Sequence, residues 1–283
     1  MVINIYSTYQ PIAKMSLTTL INEYNNKHGL NDKFKLIDTK TTDHCVHGDT
    51  KILTYQGYKK IKDFDGKLVS VWNGQEWSSS KVSKVGEYQK LLQVITSDGV
   101  ALECTAHHKF VLNNGKIVEA HQLKIGNILM SCPFWPTIDG NDQVYEGEVP
   151  VNASIYDKRR WLARYIDEHK STDTTLTDLV LECRSNKIAE DIKFLCNTIS
   201  CSPSVYWDEW TSQVIFSPKD KHYLFQIMRL PSKYRSMETG ISPNVSNLIT
   251  IDALENVDGL HDIYSIDEPY KHMCVFNGIY TKN

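Results

Sequence analysis

The sequence predicts a mainly β domain interrupted by a small α/β insert. Two observations carry this. Asn73-Gly74, Asp98-Gly99 and Asn114-Gly115 are hairpin signals set between apolar runs such as LVSVW, LLQVIT and HKFVL. The apolar period then turns helical between about residues 155 and 237 and becomes strand-like again from about Leu248. Composition agrees with a packed protein: 41% of the 283 residues are hydrophobic and 23% charged, too apolar for a disordered chain.

The elements follow in order. Ser16 can cap a helix whose apolar positions are Leu17, Leu20, Ile21 and Tyr24, with Gly29 placed to stop it. Lys33 to Asp38 reads as a short strand. The text from Cys45 to about Cys132 is rich in strands, and Thr137 to Val149 is a polar linker. Trp161, Leu162, Tyr165 and Ile166 line one expected helix face; Ile188, Ile192, Leu195 and Ile199 line another. SVYW at 204–207 and QVIFS at 213–217 read as strands, as do IYSIDE and the final VFNGIYTKN. The expected division is 1–44, 45–135, 136–247 with an insert core at about 155–237, and 248–283.

Net charge is −3, so the whole molecule is not a basic nucleic-acid binder. No apolar run reaches the length of a membrane span, and MVINIYSTYQPIAK lacks the pattern of a signal peptide. The expectation is a cytoplasmic (intracellular) monomer without membrane contact. Seven cysteines without a secretion signal argue against a disulfide framework. His44, Cys45 and His47, and likewise Cys104, His107 and His108, lack reliable zinc spacing. No metal and no cofactor are expected.

Three stretches carry chemistry together: CVHGDTKIL from Cys45, DGVALECTAHHKF ending at Phe110, and IYSI followed by His272 and the terminal NGIYTKN. With these residues in this order, the chain resembles an intein, a self-excising protein-splicing element of the Hint superfamily. Cys45 begins what looks like the N-terminal splicing block. Thr105 and His108 match the T-x-x-H of the second block, and His272 and Asn283 match the C-terminal blocks. The resemblance spans about 45–135 and 248–283. It implies an all-β horseshoe of the Hint type, with residues 1–44 as an N-extein; the partners would be the chain's own exteins.

The residue types suit that chemistry. A thiol is the most effective side chain for attacking the His44 carbonyl at the His44–Cys45 bond and forming a thioester. The departing nitrogen needs a proton, which an imidazole can deliver near neutral pH. By resemblance, His108 is that acid and Thr105 the partner that orients the scissile peptide or its oxyanion. The Asn283 amide would then attack its own carbonyl to form a succinimide, helped by proximity. His272 is the candidate that assists it. Asp49 and Lys282 are candidate supporting residues. Lys282 stands where the family often has His, and Ser265 where it commonly has Asp. The sequence holds no residue after Asn283 to accept the acyl group, so the expectation is thioester formation and release of 1–44 without ligation.

Within the insert, LARYIDEHK at 162–170 resembles the LAGLIDADG motif of homing endonucleases, and NKIAEDIKFL at 186–195 resembles that family's following helix. In such nucleases small residues let two motif helices pack and an acid holds a divalent metal. Here Arg164 replaces the motif's Gly and His169 its second Asp, leaving Asp167, Glu168 and His169 as a degenerate motif. Residues 151–245 carry 13 Lys/Arg against 12 Asp/Glu, less basic than a working DNA face. The insert is expected to be an inactive endonuclease remnant, with DNA binding by it left open. The competing functions are a site-specific homing endonuclease, a Hedgehog-like autoprocessing module, for which Asn283 would have no role, and a non-catalytic interaction domain.

Overall fold

The protein is described by a computed structural model covering residues 27, 44–171, 178–228 and 248–283. The helix expected after Ser16 and the strand expected at Lys33 to Asp38 lie outside the described residues. The chain from Thr42 to Asn283 forms one compact unit. It is mainly β, with three α-helices among the described residues.

Short strands come first: β1 (Val46–His47), β2 (Lys51–Thr54), β3 (Gly57–Lys60) and β4 (Leu68–Trp72). The 13-residue β5 (Trp77–Gln89) follows, then β6 (Leu92–Thr96), β7 (Ala101–Cys104), β8 (Lys109–Val111) and β9 (Ile117–Glu119). Asp98-Gly99 turns β6 into β7, and Asn114-Gly115 turns β8 into β9. After the helical segment the chain returns as β13 (Ile251–Asn256), β14 (His261–Asp267), β15 (Met273–Phe276) and β16 (Ile279–Lys282).

These returning strands do not form a sheet of their own. The main sheet runs β13-β6-β7-β1-β14-β5-β4-β2-β15-β16, with β3 paired to β2. The two-residue β1 therefore lies between β7 and β14, pairing Val46 with both Cys104 and Tyr264. Two register shifts bend β14 along β5. The core of this sheet includes Val46, Val82, Leu102, Phe110, Ile266 and Phe276.

The intervening segment has its own antiparallel sheet, in the order β10 (Leu179–Cys183), β12 (Ser212–Phe216), β11 (Ser204–Trp207). Three helices accompany it. Ser154 caps α1 (Ile155–His169) by accepting the Asp157 N–H. Ser185 does the same for α2 (Asn186–Asn197) through Ile188. The third is α3 (Pro218–Met228). Leu162 and Ile166 are buried as their spacing predicts, together with Ile192 and Leu195. Ile199 departs from the expected helix face. The helix ends at Asn197, and Ile199 is buried beyond it in a bridge to Thr137.

The two β-containing parts are joined by buried contacts. Phe194 of α2 packs in a core with Leu53, Tyr58, Trp72, Val275 and Tyr280. Lys193, 1% exposed at its side chain, donates to Asp98 Oδ2 at 2.7 Å and to the Pro203 carbonyl at 2.9 Å. Asn197 donates to the Tyr58 hydroxyl at 3.1 Å. The Val205 N–H donates to the Asp98 carbonyl at 3.0 Å. Gly99 makes this approach feasible. It has φ +75°, and a Cβ there would meet the Val205 carbonyl oxygen at 2.2 Å. Asn152, from the linker before α1, pairs with Tyr58 as a strand would. Its Oδ1 accepts the Tyr58 N–H and its Nδ2 donates to the Tyr58 carbonyl.

Candidate functional site

The site starts where β1 starts. Cys45 precedes Val46 and is 1% exposed, packed with Leu91 and Ile263. The β7 strand ends at Cys104, directly opposite Val46, so Thr105 arrives beside Cys45. The two residues are joined in both directions. The Thr105 N–H donates to the Cys45 carbonyl at 2.9 Å. The Cys45 N–H points to Thr105 Oγ1 at 3.4 Å, and that hydroxyl also lies 3.4 Å from the Cys45 carbonyl. The nitrogen of the His44–Cys45 peptide is thus held by a side chain sixty positions away.

Three residues further on, His108 is fully buried, with its N–H donating back to the Thr105 carbonyl at 3.0 Å. The His108 ring sits edge-on to Phe110 and Phe276. Its Nε2 lies 2.8 Å from the Thr281 hydroxyl, itself fully buried. Its Nδ1 has no hydrogen-bond partner of full geometry among the described residues. Burial holds its pKa down to about 3; His44 adds to the depression by charge, while the His44 backbone opposes it by hydrogen bonding. His108 is therefore a neutral imidazole at pH 7. The Thr281 hydroxyl can donate to Nε2 or accept from it, so this bond is compatible with either neutral tautomer.

Thr281 belongs to β16, and Asn283 follows that strand. The Asn283 N–H donates to the His272 carbonyl at 3.0 Å. Its Nδ2 donates to the Ile266 carbonyl on β14 at 2.7 Å, and its buried Oδ1 has no hydrogen-bond partner among the described residues. The loop leading to β15 is held by Glu268. This buried carboxylate accepts the N–H groups of Tyr270, Lys271 and His272 at 2.7–3.2 Å, plus Asn73 Nδ2 at 3.3 Å. His272 adopts φ +54° there.

The structure thus brings Cys45 to Thr105, His108 to β16, and Asn283 to β14. His272 reaches Asn283 through its backbone, with its side chain on the surface. Lys282 pairs with Met273 across β15 and β16. Asp49 stands apart in a surface cluster, 2.7 Å from Lys60 and 2.8 Å from Lys62. Those two hydrogen bonds hold its carboxyl down to about 2. Sequence reasoning assigned no role to Thr281, Ile266 or Glu268. Nothing in the residue types marks them; only the strand pairing does.

The residues expected to form a degenerate motif, Asp167, Glu168 and His169, lie at the end of α1. Arg164 donates to Glu168 at 2.8 Å, and this pairing holds the Glu168 carboxyl below its usual range. His169 stacks on Tyr165 with ring centroids 4.0 Å apart. Asp167 is exposed. Among the described residues these three do not form a metal-ligand cluster. All seven cysteines are free thiols, and burial pushes those of Cys104, Cys132, Cys201 and Cys274 up. No described helix is long and apolar enough to cross a membrane.

No protein-family model matches the sequence. The ribonucleoside-diphosphate reductase large subunit of Invertebrate iridescent virus 6 is 44% identical over 181 residues, covering 52% of this chain. The chain spans 19% of the length of that relative. Among solved structures, a DnaB intein from Synechocystis is 12% identical, with 84% of this chain and 96% of that one covered at a TM-score of 0.38. A bacterial intein-like domain from Clostridium thermocellum is 13% identical, covering 85% and 99% at a TM-score of 0.36.

Proposed function

We propose that this chain carries an autocatalytic protein-splicing domain acting at the His44–Cys45 bond and at Asn283. The observation that supports this most directly is the pair of joins at the site. Thr105 holds the Cys45 peptide nitrogen, and His108 of the same loop holds Thr281 on the strand leading to Asn283.

In the first step Cys45 Sγ attacks the His44 carbonyl carbon. The C–S bond forms, the His44–Cys45 C–N bond breaks, and the thiol proton ends on the new Cys45 amine. The amide nitrogen gains basicity as it leaves planarity. Thr105 orients it, and His108 takes up the thiol proton as the C–S bond forms and returns one proton to this nitrogen as the C–N bond breaks. A neutral imidazole does this by relaying a proton; a standing imidazolium is not required. The acyl group then passes to a nucleophile at the position after Asn283, which this sequence does not include.

In the last step Asn283 Nδ2 attacks its own carbonyl carbon, closing a five-membered succinimide and releasing the following residue as an amine. The Ile266 carbonyl, accepting an Nδ2 proton, orients this weak nucleophile, and the His272 carbonyl fixes the Asn283 backbone. The side-chain assistance assigned to His272 requires its surface imidazole to turn inward. The exteins would be segments of one polypeptide. The viral reductase similarity suggests a host related to a ribonucleotide reductase large subunit. The α/β insert serves as a packing partner in this reading, with no nuclease activity.

The test is the intact mass of the chain with and without a small thiol, beside Cys45→Ala. Thiol-accelerated loss of residues 1–44, absent in the variant, is the expected result. An unchanged mass under all conditions would overturn the proposed N-terminal step.

A further inference from the structure

The loop that carries Thr105 and His108 also presents a second group of side chains, outward. His107 Nδ1 lies 2.8 Å from Glu119 Oε2, and His121 Nδ1 lies 3.4 Å from the same oxygen. The two imidazoles meet edge to face with centroids 5.3 Å apart. One nitrogen or oxygen from each of the three residues falls within 4.8 Å of the others.

Two of these side chains are pre-positioned by the backbone. Glu119 caps the 310 turn Ala120–Gln122 through a reciprocal pair of hydrogen bonds with Gln122. His121 points Nδ1 at the Ala106 carbonyl at 2.9 Å, and its N–H donates to that same oxygen at 3.0 Å. The Ala106 carbonyl, as an acceptor, takes the His121 Nδ1–H and leaves Nε2 as the lone-pair donor for an ion, the usual outer-shell arrangement around a metal-bound histidine; the 3.4 Å approach to Glu119 is made by the protonated nitrogen. Two imidazoles and one carboxylate are a zinc ligand set, with a fourth position open to water.

We propose that His107, Glu119 and His121 form a binding site for a divalent cation of the zinc class. The ion would take the place of the direct His107–Glu119 contact. It would clip the 105–108 loop to the turn after β9. The three side chains are about 57, 30 and 43% exposed, so the ion reaches the site from solvent. Small rotations of exposed imidazoles bring the donors to the spacing set by metal bonds of about 2.0–2.2 Å.

The experiment uses the full chain carrying Cys45→Ala, which removes the thiol of the proposed cleavage step. The proposal is thereby tested independently of the splicing reading. Titration with Co²⁺ alone should give one equivalent with the visible absorption of a low-coordinate ion, displaced by Zn²⁺. Adding His121→Ala should weaken binding at least tenfold, and Glu119→Gln, which keeps the capping hydrogen bonds, should also weaken it. Zn²⁺ should raise Tm in the Cys45→Ala chain and leave Tm unchanged once His121 is lost. Circular dichroism checks that each variant is folded. Absence of saturable binding, or binding that survives loss of His121, as it would at the neighbouring His47–Glu103 pair, overturns the proposal.

Discussion

His108 and Thr281 lie 173 positions apart in sequence and share a 2.8 Å hydrogen bond in a fully buried setting. That bond joins the loop holding the Cys45 peptide to the strand that precedes Asn283. Thr281→Val keeps the shape and removes the hydroxyl. It should cost about 1–3 kcal/mol of stability by leaving a buried ring nitrogen without its hydrogen-bond partner. It should also slow thiol-dependent release of residues 1–44, with Thr281→Ser restoring the rate. Urea unfolding and mass spectrometry of the variants read the two effects separately.

Thr105 gives a second prediction. Its hydroxyl lies 3.4 Å from the Cys45 nitrogen, the atom that the proposed cleavage would release. Thr105→Val should lower the release rate by up to about 10²-fold, in the lower range found for losing one aligned donor. Asp49→Ala is the contrasting case. Its carboxylate is engaged by Lys60 and Lys62 on the surface, and stability should change by no more than about 1 kcal/mol. A slowing by Asp49→Ala as large as that of Thr105→Val would place Asp49 in the reaction.

The pH dependence of folding should carry the mark of His108. Its pKa falls from an ordinary 6.5 to about 3 through burial. The unfolded chain therefore binds a proton that the folded chain refuses. Stability from this group is complete above the ordinary value and is lost as pH falls toward the depressed one. The slope is on the order of 1.4 kcal/mol per pH unit inside that window. Denaturation midpoints of the parent and His108→Gln at several acidic pH values check this. An unchanged slope in the variant would mean that other groups carry the acid sensitivity.

Lys193→Met tests the join between insert and sheet. The substitution leaves the Asp98 carboxylate buried without its cation, which should cost about 3–5 kcal/mol. The double variant with Asp98→Leu should recover much of that loss. A single-variant cost under about 1 kcal/mol would show that water or another cation reaches Asp98.

Local features of the fold could be read from the sequence, and pairings across long separations could not. Asp98-Gly99 and Asn114-Gly115 mark real hairpins because type-specific turn residues act over four positions. SVYW is β11 residue for residue. The extent of β5 escaped, because its outer half, with Lys84, Glu87 and Gln89, is polar and partly exposed and is fixed by pairing to β14. Ile199 fitted a helical period but lies past the Thr198 cap. At the site, Cys45, Thr105, His108 and Asn283 stand out by type and order. Thr281 and the Ile266 carbonyl do not, since their roles come from where β16 and β14 run. Lys193 reads as a solvated helix lysine until Asp98 is brought against it.

Phe194 and Lys193 change what it means for the middle of this chain to be optional. A shortened chain lacking α2 would expose the face of Tyr58 and strand a carboxylate in the interior at Asp98. The turn at Gly278, which leads into the last strand and packs near Lys193, Phe194 and Asn197, would lose its backing. The segment that carries α2 is thus a structural part of the sheet it packs against. Any shortened version must first be resealed along that seam.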